Sequence, residues 1–166
     1  SLHAALPLCL LGGDLARALG STGDEDRLHG PHARRVPIDL GSVLVDGTLH
    51  WFVAHLVARR PLWSGRFVVA MNAEHLGPMK LAPRAHPNDG LLDVLDGRLG
   101  IDDRLKARRL VRHGGHLPHP GVRELRTAAV QIDLDRPTEV RLDGERIGRA
   151  RHLSIRVEPD ALVAVV

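Results

Sequence analysis

The stretch VPIDLGSVLVDGTLHWFV, residues 36–53, decides the fold because it predicts a β-hairpin. Asp46 and Gly47 form a preferred pair for a two-residue turn, since that turn requires positive φ at both positions. Pairing outward from the turn places these residues opposite each other: Leu44 and Leu49, Ser42 and Trp51, Leu40 and Val53, Ile38 and His55. One face of the hairpin then collects Ile38, Leu40, Leu44, Leu49, Trp51 and Val53. The register set by the turn thus agrees with the apolar pattern. This agreement supports the pairing, because a buried face fixes the register of a sheet.

Other segments of the chain predict short strands, because they are apolar or alternating and are bounded by Gly, Pro or Asp. They are a buried strand at 6–11, RFVVAMNA (66–73), MKLAP (79–83), GLLDVLDG (90–97), AAVQIDLD (128–135), EVRLDGERIG (139–148), HLSIRVEP (152–159) and ALVAVV (161–166). The segment 139–148 is a second Asp-Gly hairpin. Pro159 and Asp160 predict a turn before the last strand.

Two helices are predicted. Asp14 is a candidate N-cap for a helix over 15–19 that Gly20 ends, and 21–34 reads as a loop. Asp102 or Asp103 is a candidate cap for a basic helix that stops at 114–115, where two glycines follow each other. We therefore predict a mainly β (α+β) fold, a two-sheet β-sandwich with one or two short helices and an N-terminal strand–helix segment.

Composition narrows the classes of function. The chain has 166 residues, enough for one domain with a core. Two Phe, two Trp and no Tyr argue against a nucleic-acid partner bound by base stacking. A net charge of +3 suits an anionic ligand or an acidic membrane surface. The single cysteine, Cys9, excludes an internal disulfide and fits a cytoplasmic protein. No apolar run reaches membrane-spanning length.

The second hairpin carries a candidate catalytic carboxylate. Asp143 and Gly144 form its turn, which places Glu145 opposite Leu142 on a face shared with apolar neighbours. A carboxylate in such partly apolar surroundings can act as a proton acceptor. The alternative is that Glu145 is only the polar residue that follows a common turn.

Two further turns contain candidate ligand sites. Gly12 and Gly13 lead into a helix N-terminus, a geometry that binds phosphate, although Asp14 as a cap would occupy the same N–H donors. Asp89 lies in a Pro-Asn-Asp-Gly turn before an apolar strand, where a carboxylate and nearby carbonyl oxygens can hold a hard cation.

A histidine group offers a third, different site. His113, His116 and His119 recur at three-residue spacing and could bind zinc, but glycines and prolines between them prevent a helix from aligning them. Upstream, Arg104, Arg108 and Arg112 form a basic helical stripe, which is either a solvated face or a surface for phosphate or lipid headgroups.

Several of these segments together resemble a known family. They are LLGGDLARALG (10–20), VPIDLG (36–41), MNAEHLGPMKLAPRAHPNDGLLDVL (71–95), and the pair LDGE (142–145) and VEPDAL (157–162). In this order they resemble the C-terminal part of the diacylglycerol kinase/sphingosine kinase catalytic family in its bacterial form. The resemblance implies that 1–34 is a remnant of an α/β nucleotide-binding domain with a linker, and that 35–166 is the C-terminal β-sandwich domain.

The resemblance also implies site roles. Glu145 matches the general base of the family, within the motif that Asp143 begins. Asp89 matches the aspartate of a structural Mg²⁺ site, with the backbone oxygens of His86 and Leu91 as co-ligands. Gly12, Gly13 and Asp14 match the second phosphate motif, while ATP with its Mg²⁺ is bound mainly by a Gly-Gly-Asp-Gly-Thr loop that this sequence lacks.

We therefore predict the C-terminal domain of a lipid kinase that transfers phosphoryl from ATP to a lipid hydroxyl such as that of diacylglycerol. We expect it to be inactive as this chain alone, because the LLGGD segment also lacks the Thr and Asn of the family motif. The alternative is a non-catalytic β-sandwich that binds an anionic ligand, a lipid headgroup or a partner protein. The sequence leaves open both peripheral contact with an anionic membrane, at its inner face, and a homodimer.

Overall fold

The computed structural model describes residues 7–21 and 23–166. Its strands are β1 (Leu8–Cys9), β2 (Arg35–Val45), β3 (Thr48–Phe52), β4 (His55–Ala58), β5 (Arg66–Met71), β6 (His75–Leu76), β7 (Met79–Lys80), β8 (Leu92–Arg98), β9 (Val122–Thr127), β10 (Ala129–Leu142) and β11 (Glu145–Val165). Its helices are α1 (Gly13–Ala18), α2 (Glu25–His29) and α3 (Ile101–Leu110). Two 3₁₀ turns, Pro61–Trp63 and Val111–His113, precede β5 and follow α3.

Two long strands connect the layers of the fold. The strand order is β3-β2-β11-β10-β4-β5-β8-β9, with β1 parallel to the end of β11 and β6 paired with β7 apart from the rest. The pairing of β10 with β11 shifts between Asp133 and Thr138, and beyond this bulge β10 pairs with β4. Bulges bend strands. The mainly β, sandwich-like fold predicted from the sequence is thereby confirmed.

The core lies between the two halves of this strand path. Its largest cluster joins buried Val43 and Phe52, from β2 and β3, with Val68 and Val94, from β5 and β8. A second cluster around Val69 covers the other side of β5 and β8. Strands β4 and β5 are buried on both faces, which explains their almost continuous apolar sequence.

The first hairpin confirms the predicted register only near its turn. Leu44 pairs with Leu49 and Ser42 with Trp51, as expected. The pairs of Leu40 with Val53 and Ile38 with His55 are wrong, because β3 ends at Phe52 and the chain leaves to start β4.

The predicted buried face of that hairpin is also wrong near the tip. Leu44, Leu49 and Trp51 are 42%, 53% and 50% exposed, whereas Val43 and Phe52 on the other face are buried. Both faces of this hairpin carry apolar side chains, so the sequence pattern could not distinguish the inner face from the outer.

Strand β11 continues where a turn was predicted. Asp160 adopts a positive φ of 51°, and the pairing with β2 shifts between Glu158 and Leu162. Pro159 lies within this bulge, where the ladder hydrogen bond that it cannot donate is not required. The predicted separate strands at 152–159 and 161–166 are therefore one bent strand.

The N-terminal segment differs from the prediction in three ways. Strand β1 is exposed rather than buried, and part of the predicted strand lies outside the described residues. Helix α1 begins at Gly13 with Gly12 as its N-cap, so Asp14 is not the cap. Helix α2 occupies part of the predicted loop. The boundary between 1–34 and 35–166 stays a prediction.

Helix α3 also begins differently from the prediction. Gly100 is its N-cap, and Asp102 and Asp103 lie in its first turn instead of capping it. The stop at Gly114 is confirmed, because this residue adopts the left-handed conformation after the 3₁₀ turn. No helix in the described part of the chain is long and apolar enough to cross a membrane.

Candidate active site

The tip of the second hairpin is fixed by the carboxylate of Asp143. Its Oδ2 accepts the N–H of Val53 at 2.7 Å, and its Oδ1 accepts the N–H groups of Ala54 and His55 at 2.8 and 2.9 Å. The N–H of Asp143 in turn donates to the carbonyl of His55 at 2.9 Å. These contacts attach the turn to the bend between β3 and β4, so Asp143 acts as the clamp of the tip.

Glu145 follows this clamp at the start of β11. It pairs with Leu142, as predicted, and its side chain is exposed. The pairing then shifts by one residue, so that Val140 pairs with Gly148 instead of Ile147. The expected apolar partner beside Glu145 is thus displaced by a bulge, a feature that re-aims side chains.

A groove of about 560 Å³ opens beside Glu145. Its lining combines the hairpin tip with the neighbouring edge strand β3: His50, Trp51, Leu142, Asp143, Glu145, Arg146 and Ile147. The groove thus presents the carboxylate of Glu145 and the guanidinium of Arg146 in a mainly polar lining, with Trp51 and Ile147 among its apolar residues. This combination can accept a proton, neutralise a developing anion and contact an apolar substrate.

Asp14 contacts this site through His55. Its Oδ2 lies 3.2 Å from Nε2 of His55 and accepts the N–H of Gly77 at 2.9 Å. His55 is buried, and its backbone carries two of the hydrogen bonds to Asp143. The segment predicted to bind phosphate is therefore joined to the hairpin tip by one histidine.

The glycines before Asp14 do not complete a nucleotide site. Nothing lies within 4 Å of a Cβ placed on Gly12 or Gly13, so the space above them is open. Helix α1 has six residues, and the carboxylate of Asp14 is engaged by His55. Residues 10–20 carry no hydroxyl or amide side chain, and the hydroxyl of Ser21 is engaged by the carbonyl of Leu10. This segment therefore does not fit an ATP site by itself.

The turn that contains Asp89 is organised by a different aspartate. Buried Asp39 accepts the N–H groups of Asp89 at 3.0 Å, Gly90 at 2.7 Å and Asp160 at 3.0 Å. Its own N–H donates to the carbonyl of Pro87 at 2.7 Å. These hydrogen bonds hold the turn and the β11 bulge together.

The side chains around Asp89 do not fit the predicted magnesium site. Its Oδ1 accepts the N–H of Leu91 at 3.0 Å, and its Oδ2 forms an ion pair with the guanidinium of Arg126. The guanidinium of Arg126 thus occupies the carboxylate that a metal ion would need. His86 directs its Nδ1 to the N–H of Asn88 at 3.3 Å. The carbonyl ligands proposed for His86 and Leu91 stay predictions.

Asp93, on the adjoining strand β8, adds a buried acid to this turn. Burial raises the pKa of its carboxyl, while Arg126 and Arg84 oppose the rise. Arg126 pairs across the ladder with Asp93 and also binds Asp89. The positive charge of Arg126 therefore lies close to the carboxylates of both Asp89 and Asp93.

The two turns are connected by Asn72. This residue is fully buried, and its Nδ2 donates to the carbonyls of Asp39 at 2.9 Å and Val53 at 2.8 Å. Because Val53 donates to Asp143, a continuous hydrogen-bonded path joins the turn at Asp89 to the tip that carries Glu145. Sequence reasoning missed Asp39, His55 and Asn72; the available signal was a polar residue inside an apolar strand or, for Asn72, directly after one.

The three histidines do not form a zinc site. Within residues 7–21 and 23–166, no three His, Cys, Asp or Glu side chains come together in a way that could hold a metal ion. His113 is exposed, and burial lowers the pKa of His116. Nδ1 of His119 accepts the N–H of Gly121 at 3.0 Å, which gives this ring a local structural role.

Solved structures share this fold. A crystal structure of a protein provisionally assigned as a diacylglycerol kinase from Bacillus anthracis str. Sterne matches with a TM-score of 0.76 and 14% identity, over 98% of this chain and 70% of that chain. A second such structure matches with a TM-score of 0.71 and 13% identity, over 95% of this chain and 68% of that chain. The crystal structure of a diacylglycerol kinase from the same organism matches with a TM-score of 0.68 and 14% identity, over 95% of this chain and 66% of that chain. These TM-scores establish similarity of fold, and at identities of 13–14% the comparison shows the fold alone.

Sequence comparison gives the family. No curated protein is significantly similar to the chain. The family model for the YegS C-terminal NAD kinase beta sandwich-like domain, however, matches residues 37–166, which include both turns and the groove. The chain belongs to this family of YegS C-terminal NAD kinase beta sandwich-like domains.

Proposed function

We propose that the chain is the C-terminal domain of an ATP-dependent lipid kinase of the diacylglycerol kinase type, with Glu145 as its general base. The observation that carries the proposal is the position of Glu145, an exposed carboxylate at a hairpin tip that Asp143 clamps beside a groove. The family and the fold of the similar structures support it.

Glu145 accepts the proton of the lipid hydroxyl as its oxygen attacks the terminal phosphorus of ATP. The bond from that phosphorus to its bridging oxygen breaks, and ADP leaves. ATP with Mg²⁺ supplies the phosphoryl group when a nucleotide domain holds it. Positioning and charge neutralisation dominate this class of reaction, so a base on a rigid tip is worth more than one on a free loop.

The other groove residues have distinct roles in this proposal. Trp51 and Ile147 contact the apolar part of the lipid next to its hydroxyl. Arg146 lies beside the path of the phosphoryl group, and its Nε is held 3.2 Å from an oxygen of Glu139. Arg141 and Arg146 both contact Glu139 and lower the pKa of its carboxyl, so Glu139 stays charged and holds both guanidinium groups.

A non-catalytic module is the second candidate function. The observation that favours it is the contact of Asp14 with His55, which holds the would-be phosphate segment against the sandwich. In that case the groove binds an anionic ligand or a lipid headgroup without turnover.

Phosphoryl transfer to diacylglycerol in mixed vesicles tests the choice. The full-length protein is incubated with ATP labelled at its terminal phosphate, beside the 166-residue chain alone. Labelled phosphatidic acid from the full-length protein only is the expected result. If both proteins bind the lipid saturably and neither forms labelled product, the result would support the non-catalytic module instead.

A further inference from the structure

A second surface, away from the groove residues, combines exposed apolar and basic side chains. Leu62 is 85% exposed, Ile101 70%, Leu105 57% and Leu110 50%. Helix α3 and the turn after it add Arg104, Lys106, Arg108, Arg109 and Arg112. We refer to these nine residues as the α3 patch. Exposed apolar groups rimmed by charge mark interaction surfaces more often than scattered single residues do.

The parts of the α3 patch are held together by Arg104. Its Nη1 donates to the carbonyl of Leu62 at 3.0 Å, and its Nε to the carbonyl of Gly100 at 3.3 Å. Ile101 and Leu105 are four residues apart and share one side of the helix. Val111 is the buried residue that anchors the end of α3 to the second core cluster. The helix itself buries no residue, so its apolar side chains face outward.

The charge of the α3 patch is strongly positive. Its five arginine and lysine residues are opposed on the helix only by Asp102 and Asp103 in the first turn. Asp103 is already shared, because its Oδ1 lies 3.9 Å from Nζ of Lys106 and 3.8 Å from Nε2 of His119. A surface of this kind attracts an anionic partner.

We propose that the α3 patch docks the protein on an anionic lipid bilayer. Exposed arginine and lysine side chains attract anionic headgroups, and exposed Leu62, Ile101 and Leu105 supply apolar side chains for insertion beside them. A nucleic acid would use the arginines but leave three leucines and an isoleucine unburied, so the bilayer accounts for both halves of the patch. The proposal does not depend on phosphoryl transfer.

Co-sedimentation with vesicles tests the docking. The full chain is mixed with vesicles of phosphatidylglycerol and phosphatidylcholine, or of phosphatidylcholine alone. Binding should require phosphatidylglycerol and weaken with salt. Arg108→Gln with Arg112→Gln should lower the partition coefficient by roughly 25-fold, at about 5-fold per charge. Ile101→Ser with Leu105→Ser should also lower binding.

Matched controls lie elsewhere on the surface. Arg123→Gln with Arg136→Gln removes two exposed arginines, and Leu44→Ser with Leu49→Ser removes two exposed leucines of the first hairpin. Both should leave binding within about 2-fold, because neither pair belongs to the α3 patch. Loss of binding in these controls but not in the α3 variants would overturn the proposal.

A variant that adds apolar surface gives an independent readout. In a protein with Trp51→Phe and Trp63→Phe, Leu105→Trp should show a blue-shifted emission with phosphatidylglycerol vesicles and quenching by brominated lipid. No blue shift, no vesicle binding by the wild type, or binding to duplex DNA in place of vesicles would each contradict a bilayer as the partner.

Discussion

In the buried ring of His55, Nε2 lies 3.2 Å from Oδ2 of Asp14. The backbone N–H of His55 also donates to Oδ1 of Asp143, and its carbonyl accepts the N–H of Asp143. One residue therefore connects the glycine segment before the sandwich with the hairpin tip that carries Glu145.

The first prediction concerns this connection. Asp14→Ala and His55→Ala should each destabilise the protein, and a double-mutant cycle should give a coupling free energy of about 1–3 kcal/mol. Amide exchange in α1 should accelerate in both variants, while Glu25→Ala in α2 leaves it unchanged. Strictly additive effects of the two substitutions would show that the contact carries no energy.

The second prediction concerns the clamp of the tip. Asp143→Asn keeps a residue that tolerates the observed φ of 48°, but only one of its side-chain atoms can accept N–H bonds. The free energy of unfolding in urea should fall by about 1–3 kcal/mol. Glu145→Gln has no such partners to lose and should change it by less than about 0.5 kcal/mol. Equal losses in the two variants would argue against the clamp.

The third prediction concerns the turn at Asp89. Since Arg126 already occupies its carboxylate, the melting temperature of the wild type should be the same in millimolar Mg²⁺ and in EDTA. Arg126→Gln should lower the melting temperature and make it respond to Mg²⁺, because a ligand that binds only the folded state stabilises it.

The opposite result would restore the metal inferred from the sequence. A wild-type melting temperature that rises with Mg²⁺, together with loss of this rise in Asp89→Ala, would show that the ion displaces Arg126.

The fourth prediction concerns pH. Burial raises the pKa of Asp93 above its ordinary value of 3.8, so the folded state favours the protonated carboxyl. The contribution of Asp93 to stability should therefore fall as the pH rises from 3.8 through the raised pKa. Asp93→Asn should remove this fall and be the more stable protein at pH 7, whereas exposed Asp102→Asn should follow the wild type. Parallel curves for the wild type and Asp93→Asn from pH 3.5 to 7 would contradict the burial effect.

Local features of this fold were predictable from the sequence, and long-range ones were not. The Asp-Gly turns set the pairs of Leu44 with Leu49 and Leu142 with Glu145, because a two-residue turn fixes its nearest neighbours. The inner face of the first hairpin was not predictable, since Val43 and Leu44 make both faces apolar. The bulge at Asp160 was predicted as a turn, because Pro159 and Asp160 are residue types that occur in turns as well as in bulges.

The candidate site divides in the same way. The position of Glu145 after a turn is a local property and was predicted. The contacts of Asp39 with Gly90 and of His55 with Asp14 join residues far apart in the chain, and no sequence spacing encodes them. The pairing of Asp89 with Arg126 depends on the neighbouring strand β9, which the turn motif alone does not reveal.

The most direct measurement of the central claim is the rate of diacylglycerol phosphorylation by the full-length protein with Glu145→Gln. Loss of a general base should lower kcat by about 10²- to 10⁴-fold, with an unchanged melting temperature and with Glu124→Gln as the exposed control on β9. A rate equal to that of the wild type would contradict the assignment of Glu145 as the base.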